Sequence, residues 1–404
     1  MNNRRVVVTG LGVVSSVGIG KDTFWEKIIS GASGISKVTG FDTTDFQCHY
    51  GGEIKDFNPE QFMPKRKIRF LGKTSQLAIA ASFLALEDAR INLTGITKEK
   101  FGVLVGTTLG ERSMEEVTEA WAKGGLTNID RLKLFQAAAN NISAGIGIQF
   151  KAMGLNFLIP NACAAGNYAI GYAFDLVKNG DLNFALAGGS EAFSRVAFSG
   201  FQRLYAMASD KCRPFDKNRK GMMLGEGSGI LFLESLDSAR KRGAAIYAEI
   251  LGYGLSCDAY HATASDAAGV AKVMNKALED AKISSEQVDY ICAHGTGTPM
   301  NDKTESKAIK EVFGSRHKDV LASSLKSMIG HTMGASAAIE SAACCLAIKD
   351  GIVPPTINFE TSDPECDIDC VPNIARKKKI NIALNNGFAF GGNNCCVVFG
   401  KASP

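Results

Sequence analysis

Short apolar segments alternate along the chain with longer amphipathic ones. The apolar segments are rich in Val, Ile and Leu and predict strands, whereas apolar residues at helical spacing predict helices. The predicted strands are "RRVVVTG", "FGVLVGTT", "NFALAGGSEA", "GSGILFLES", "VDYICAHGTG" and "NCCVVFGK", and the predicted helices are "DTFWEKIISG", "ERSMEEVTEAWAKGG" and "TESKAIKEVFG". This alternation indicates an α/β fold. Because strands such as "FALAGG" are apolar on both faces, we expect helices to cover the sheets on both sides.

Length and charge exclude several classes of protein. With 404 residues, 45% of them hydrophobic, the chain can bury one large core or two of ordinary size. Its 45 Lys and Arg residues are scattered among 41 Asp and Glu residues, so we expect no nucleic-acid partner. No apolar run reaches the roughly 18 residues of a membrane span and no signal peptide is recognisable, so we expect no membrane association and a cytoplasmic location. We place a domain boundary near residue 250, which separates residues 1–250 from 251–404.

Eleven cysteines are present, without a CxxC pair or a Cys/His spacing typical of zinc. We therefore expect neither a disulfide framework nor a metal site, and most of these cysteines should be small buried residues in a reducing compartment. The N-terminal "GLGVVS" reads Gly10-x-Gly12-x-x-Ser15, and no acidic residue that ends a strand follows about 20 residues later. This incomplete pattern predicts no dinucleotide site.

Cys163 occupies an unusual position. It follows the apolar run "LNFLIP" and precedes "AAGNYAIGYAFDLVKNG", which has helical spacing and ends in a typical helix stop. Cys163 should therefore lie at a strand-to-helix elbow, where the helix dipole and free N–H groups favour the nucleophilic thiolate. Its own backbone N–H could bind a developing oxyanion, and its small neighbours would let a substrate approach.

Two of the five histidines lie at the ends of predicted elements, where function tends to be located. His294 lies in "CAHGTGTPMND", where the strand "VDYICA" runs into a Gly/Thr turn, and His331 lies in "SSLKSMIGHTMGASAA", which opens an Ala-rich helix. One isolated histidine is more often structural than catalytic. Two of them and a cysteine, all in Gly- and Ser/Thr-rich element ends, indicate an active site.

Five ordered segments resemble those of the β-ketoacyl-acyl-carrier-protein synthases of the KAS II type: "NACAAG", "CRPFDKNRKGMMLGEGSGIL", "AHGTGTPMNDKTESKAI", "SSLKSMIGHTMGASAAIE" and "GFAFGGNN". The resemblance spans almost the whole chain. It implies a five-layered α-β-α-β-α thiolase-like fold with two similar halves. It also implies decarboxylative condensation of an acyl group with malonyl thioester on acyl carrier protein, in fatty-acid or type II polyketide elongation. No cofactor is expected, since the phosphopantetheine arrives on the carrier protein, and the partner would be a second copy or a chain-length-factor-like subunit.

The resemblance also implies roles for single residues. Cys163 would take the acyl group as a thioester, and neutral His294 and His331 would bind the malonyl thioester carbonyl and stabilise the enolate. Lys326 matches the active-site lysine of the family, with a solvated surface charge as its alternative. Glu305 matches an acidic residue that organises the site, with a simple surface carboxylate as its alternative.

The substrate-binding residues are inferred from the same resemblance. Thr296 and Thr298 match threonines that bind the phosphopantetheine arm, although turn residues that satisfy local backbone groups are the alternative. Phe390 matches the gating phenylalanine, whose N–H would be the second oxyanion donor. Phe388, in the same segment, is placed among the substrate-binding residues with packing as its main expected role, and Leu109, in "GTTLGERS", is expected near the position that limits acyl length.

Some segments depart from the family pattern. Ala389 and Asn393 replace a glycine and a threonine at the gate, and "YAMASDKCRPFD" and "DAYHATASDAAGV" are shorter than usual. Since alanine restricts the backbone, gate motion is expected to differ. The two shorter segments are expected to change carrier recognition and substrate scope. The segment "HGTGTP" resembles that of polyketide ketosynthases and favours a polyketide enzyme. Two other functions are alternatives: a non-catalytic chain-length-factor-like subunit, which would lack the cysteine, and a coenzyme A-dependent thiolase, which would need a second catalytic cysteine.

Overall fold

The computed structural model describes residues 4–403, and within that range the chain forms fifteen strands and thirteen α-helices. The strands are β1 (Val6–Ser15), β2 (Gly18–Ile19), β3 (Ser36–Lys37), β4 (Tyr50–Gly51), β5 (Phe101–Gly106), β6 (Asn156–Ile159), β7 (Phe184–Glu191), β8 (Gly227–Ser235), β9 (Ala248–Cys257), β10 (Tyr290–Cys292), β11 (Leu321–Ser323), β12 (Ile352–Val353), β13 (Arg376–Lys377), β14 (Ile382–Phe388) and β15 (Asn393–Gly400).

The helices are α1 (Lys21–Ile29), α2 (Lys65–Ile68), α3 (Lys73–Asp88), α4 (Ser113–Gly124), α5 (Arg131–Gln136), α6 (Asn141–Phe150), α7 (Ala165–Asn179), α8 (Arg195–Arg203), α9 (Leu236–Lys241), α10 (Ala267–Ala281), α11 (Pro299–Phe313), α12 (Lys326–Ile329) and α13 (Ser336–Asp350). Several short 3-10 turns lie between them.

The long strands form one mixed sheet in which the same arrangement occurs twice. The order is β6-β5-β7-β8-β1 in the N-terminal half and β11-β10-β14-β15-β9 in the C-terminal half. When the five strands of each half are numbered along the chain, the spatial order in both halves is third, second, fourth, fifth, first. In each half the first three strands of that order are parallel and the others pair antiparallel. A short ladder between Val6–Val8 of β1 and Ala248–Ile250 of β9 joins the halves.

Helices cover each half of the sheet on both faces. The central helices α7 and α13 lie between the halves and pack on strands of both, whereas α3 and α6 cover the outer face of one half and α10 and α11 that of the other. Every residue of α13 from Ser336 to Ile348 is buried, as expected for a helix without a polar face. The result is the predicted α/β, five-layered thiolase-like fold.

The glycines near the N-terminus serve packing and not phosphate binding. Strand β1 runs without a turn through Gly10 and Gly12. A Cβ on Gly10 would lie 2.1 Å from the carbonyl oxygen of Ala85, and one on Gly12 would lie 1.8 Å from that of Ala81. These glycines therefore let α3 approach the strand closely.

The predicted elements are found at similar positions, with shifted ends. The helix predicted from "TESKAIKEVFG" begins earlier, at Pro299, because Thr298 caps it. The strand predicted from "VDYICAHGTG" is confined to Tyr290–Cys292. The division at residue 250 stays a prediction, since β1 and β9 belong to one continuous sheet.

No helix among residues 4–403 is both long and apolar enough to cross a membrane. All eleven cysteines are unpaired, and Cys257 alone among them is exposed. No group of His, Cys, Asp and Glu side chains in the described range has the arrangement of a metal site.

Candidate active site

Cys163 lies in the 3-10 turn Ala162–Ala164, between the end of β6 and the start of α7. Ala162 has a left-handed backbone with φ of 46°, which a non-glycine residue adopts only where the surrounding structure enforces it. The Cys163 side chain is 6% exposed. Its turn packs against the turn Met333–Ala335 and against β14 and β15. The thiol therefore lies at the strand-to-helix junction that the sequence predicts.

Burial and the helix N-terminus act on this thiol in opposite directions. Burial raises the pKa of Cys163 to about 12, the positive charge of Lys326 opposes that rise, and Glu191 adds to it. The N-terminus of α7 favours the thiolate, whereas removal of the sulfur from water favours the thiol. Activation of Cys163 as a thiolate stays a prediction.

His331 is held by its own turn. Its Nδ1 accepts a hydrogen bond from the Met333 N–H at 3.1 Å and lies 3.0 Å from the Ser336 hydroxyl. Since Nδ1 accepts, the proton of the neutral ring is on Nε2. Burial, assisted by the charge of Lys326, holds the pKa of His331 well below its usual range.

His294 follows β10 and lies beside His331. The two ring centroids are 5.5 Å apart and nearly perpendicular, at 84°. Burial, followed by the charges of Lys326 and His331, holds the pKa of His294 well below its usual range. Its Nδ1 is buried without a hydrogen-bond partner in the described residues. The site therefore contains two neutral imidazoles side by side, each with one N–H to donate.

Glu305 fixes the backbone around His294. Its carboxylate accepts the N–H of His294 at 2.9 Å and that of Gly295 at 2.8 Å, and the Asn386 amide donates to it at 3.2 Å. The side chain is fully buried, and burial raises its pKa to about 7. The alternative of a surface carboxylate is therefore excluded.

Lys326 is equally buried, which excludes the alternative of a solvated surface charge. It begins the short helix α12, and its Nζ donates to the Glu340 carboxylate at 2.5 Å, with both side chains completely inaccessible to water. Glu340 lies on α13, and its second oxygen has no hydrogen-bond partner in the described residues. Sequence reasoning missed Glu340, although a single carboxylate in the Ala-rich segment "GASAAIESAACC" was a visible signal.

Thr296 and Thr298 lie in the turn after His294. Their hydroxyl oxygens are 2.8 Å apart, and Thr298 caps α11 by accepting the Asn301 N–H at 3.4 Å. Asp302 accepts the Gly297 N–H at 3.2 Å. Thr298 therefore has the expected local role of satisfying a backbone group. Thr296 is the buried member of the pair.

Phe390 begins the 3-10 turn Phe390–Gly392 and is 36% exposed, and its ring centroid is 5.6 Å from that of Phe201. Gly391 has φ of 81°, a conformation that favours glycine. Phe388 is buried, with its ring centroid 5.7 Å from that of His294, so it packs directly on the imidazole.

Leu109 lies in the turn after β5, and its side chain is 45% exposed. It lines a cavity of about 730 Å³ together with Phe41, Met114 and Val196. The Leu109 N–H donates to the buried carboxylate of Glu191 at 3.1 Å. Glu191, the last residue of β7, was missed from the sequence, although a carboxylate that ends the apolar strand "FALAGGSE" was a visible signal.

Family models describe most of the chain. Residues 3–239 match the model "Beta-ketoacyl synthase, N-terminal domain" and residues 247–360 match "Beta-ketoacyl synthase, C-terminal domain". The chain is 40% identical over 411 residues to a protein named 3-oxoacyl-[acyl-carrier-protein] synthase 2 from Synechocystis sp., with 99% of each chain covered. It is 40% identical over 408 residues to a protein of the same name from Staphylococcus aureus, again with 99% of each covered.

Solved structures give the same similarity. A chain of the ishigamide ketosynthase/chain length factor superimposes with a TM-score of 0.96 at 41% identity, and covers 99% of this chain and 100% of its own. A chain of a type II polyketide acyl-carrier protein complex with its ketosynthase, bound to the hexaketide, superimposes with a TM-score of 0.91 at 36% identity and the same coverage.

Proposed function

The chain belongs to the β-ketoacyl synthase family, and on that basis we propose that it condenses acyl-ACP with malonyl-ACP, where ACP is acyl carrier protein. The products are 3-oxoacyl-ACP and CO2. The observation that carries the proposal is a buried thiol whose turn packs against the turn that follows His331, together with two buried, neutral imidazoles in contact with each other. Such a site has a nucleophile for acyl transfer and N–H donors for an oxygen that gains negative charge.

Acyl transfer comes first. The Cys163 sulfur attacks the thioester carbonyl of acyl-ACP, the carrier sulfur leaves, and the thiol proton ends on that carrier sulfur. The backbone N–H groups of Cys163 and Phe390 are the proposed donors to the tetrahedral oxyanion. Since burial raises the pKa of Cys163 and Lys326 lowers it, the lysine charge supports loss of the proton during this step.

Decarboxylation and condensation follow. His294 and His331 each donate an N–H to the thioester oxygen of malonyl-ACP, which favours release of CO2 and leaves an enolate. The enolate carbon attacks the acyl-Cys163 carbonyl, a C–C bond forms, and the Cys163 sulfur leaves and takes up a proton. Neutral rings suit this role, and the low pKa values of both histidines keep them neutral at pH 7.

The partners of the reaction are part of the proposal. The carrier protein brings its phosphopantetheine arm past Thr296 and Thr298, with no resident cofactor. The chain assembles with a second copy or with a chain-length-factor-like subunit, and the exposed edge strand β6 supports such pairing. Eleven unpaired cysteines support a reducing, cytoplasmic location.

One alternative has a specific observation in its favour. One similar structure contains a chain length factor, so a non-catalytic subunit is the second candidate function. The buried cysteine and the histidine pair favour the enzyme. Mass spectrometry of the products from wild-type protein with a panel of acyl-ACPs and malonyl-ACP separates the two, and it also distinguishes a single extension from repeated extensions.

The central test separates the half-reactions. Cys163→Ala should abolish acyl-enzyme formation and condensation but retain some CO2 release from malonyl-ACP, because decarboxylation depends on the histidines. His331→Ala should still acquire the acyl group. Its condensation rate should be lower by a factor of about 10² or more, as is usual for loss of one oxyanion donor. Mass spectrometry of the protein after incubation with acyl-ACP, beside a CO2-release assay, measures both.

Matched controls are Cys370→Ala, another buried cysteine, and His317→Ala, a histidine in the turn Gly314–Lys318. Both should behave as the wild type does. Condensation by Cys163→Ala, or wild-type condensation rates in His331→Ala, would overturn the proposed mechanism.

A further inference from the structure

Glu191 is a buried carboxylate without a cation. It ends β7 and is 1% exposed, and no Lys, Arg or His side chain in residues 4–403 lies within ion-pair distance of it. Burying an ionisable group costs free energy unless its oxygens are hydrogen-bonded. The neighbouring strand β5 is parallel to β7, so the turn that follows β5 reaches the same edge of the sheet as Glu191.

Both oxygens of Glu191 are hydrogen-bonded to two different turns. Oε1 accepts the Thr107 hydroxyl and the Leu109 N–H, each at 3.1 Å. Oε2 accepts the Thr108 N–H at 2.6 Å and the Gly334 N–H at 3.1 Å. One carboxylate therefore binds the turn that carries Leu109 to the turn that follows His331.

The second turn determines how His331 is held. Met333, which donates its N–H to Nδ1 of His331, has a left-handed backbone with φ of 52°. A non-glycine residue keeps such a conformation only where its surroundings enforce it. The bond from Gly334 to Glu191 is one such constraint, and close packing is another, since a Cβ on Gly334 would lie 2.5 Å from the Thr107 backbone.

We propose that Glu191 is a positioning residue that couples the wall of the acyl pocket at Leu109 to the orientation of His331. The inference rests on the proposed function of His331 and on the expectation that Leu109 lies at the position that limits acyl length, and it adds a connection between them. An acyl chain that displaces the Leu109 turn also displaces the Glu191 carboxylate, which accepts the Leu109 N–H. Glu191 in turn accepts the Gly334 N–H, so this displacement changes the position of Met333 and its hydrogen bond to Nδ1 of His331. Decarboxylation thereby responds to the acyl chain that occupies the pocket.

The test variant is Glu191→Gln, which keeps the volume and replaces one acceptor oxygen by an NH2 group that faces N–H donors. Its matched control is Asp216→Asn, because Asp216 is a buried carboxylate that accepts the backbone N–H groups of Asn218, Glu360 and Thr361. Glu191→Gln should still acylate Cys163, with a changed preference among acyl-ACPs. CO2 release per folded enzyme should fall about tenfold or more, since a small misplacement of a catalytic group can cost on the order of 100-fold.

Asp216→Asn should lower the rates of Cys163 acylation and of CO2 release equally, in proportion to the fraction of the protein that is folded. The inference is overturned if Glu191→Gln shows that same pattern. Thr107→Val, which removes one donor to Glu191, covers the case in which Glu191→Gln does not fold. It should change acyl preference and CO2 release in the same directions by smaller factors, and wild-type values for both would contradict the coupling.

A readout independent of activity distinguishes this inference from the proposed function. In protein labelled with 15N-histidine, wild-type His331 should give the shifts of a single Nε2–H tautomer, and Glu191→Gln should give a mixture. A wild type that neither acylates nor decarboxylates would overturn the proposed function, whereas unchanged His331 shifts in Glu191→Gln would overturn the coupling.

Discussion

Lys326 and Glu340 form an ion pair that is completely removed from water. Their charged atoms are 2.5 Å apart, and neither side chain has measurable exposure. Desolvation of two charges is costly, so such a pair adds little net stability over apolar residues. Removal of one partner is different, because it leaves an uncompensated charge in the core. The pair is better explained by the charge that Lys326 directs toward Cys163 and the histidines.

Glu340→Gln should therefore lower the free energy of unfolding by about 3–5 kcal/mol, the usual cost of breaking a buried pair. The double variant Lys326→Met/Glu340→Leu should recover most of that stability and still fail to condense. Denaturant unfolding followed by circular dichroism measures the first effect, and the condensation assay measures the second. Surface substitutions without structural effect usually change the free energy of unfolding by about 0.5 kcal/mol or less. If the free energy of unfolding of Glu340→Gln differs from that of the wild type by no more than this, the pair does not hold a buried charge.

At the scale of elements, the turn Phe390–Gly392 is held by the loop after β9. The Gly391 N–H donates to the Ala262 carbonyl at 2.8 Å, and the Asp258 N–H donates to the Gly392 carbonyl at 3.0 Å. Ala389, which precedes this turn, is buried in an extended conformation with φ of −120°. Alanine therefore fits here without strain and removes only the freedom that a glycine would add.

Ala389→Gly should change the condensation rate or the acyl preference at a stability cost of about 1 kcal/mol or less, because glycine mainly adds backbone freedom. Steady-state kinetics across acyl-ACPs and thermal unfolding measure the two effects. Ala245→Gly, at an exposed residue before β9, is the control for backbone freedom alone. Kinetics identical to those of the wild type would mean that the departure at Ala389 is neutral.

At the scale of the molecule, the duplicated strand order leaves β6 and β11 at the two ends of the sheet. Strand β6 begins with two exposed residues, and its one strand partner in the described chain is β5. Phe157 on β6, Met153 and Leu155 before it, and Tyr172 on α7 are exposed. An unpaired edge with apolar side chains around it is a typical site of association.

The protein should therefore behave in light scattering at micromolar concentration as a particle of twice the chain mass of 42.9 kDa. Phe157→Lys should shift it toward the monomer, because a charge at the edge opposes strand pairing. Ile374→Lys, at another exposed apolar residue, should remain dimeric. A monomeric wild type, or a dimer equally sensitive to both variants, would contradict pairing through β6.

The sequence by itself determined the layered α/β class, because strand and helix periodicities are local properties. It also determined the resemblance to the family and the positions of Cys163, His294 and His331 at the ends of elements. These follow from short patterns such as "NACAAG" and "GHTMGASAA", which need no knowledge of packing. The duplicated strand order is different, since the two halves share no readable sequence repeat and their similarity is in the connection of strands.

The tertiary structure alone decided the burial of the titratable groups and the connections between segments. Whether Cys163 is a thiol or a thiolate depends on how much water and charge surround it, and these come from Lys326, Glu191 and the elements packed above the turn. Glu340 and Glu191 act on residues 14 and 143 positions away in the chain, Lys326 and Gly334. Burial and long-range hydrogen bonds are properties of the folded chain, so the contexts of Glu340 and Glu191 in the sequence did not show which distant residues these carboxylates would bind.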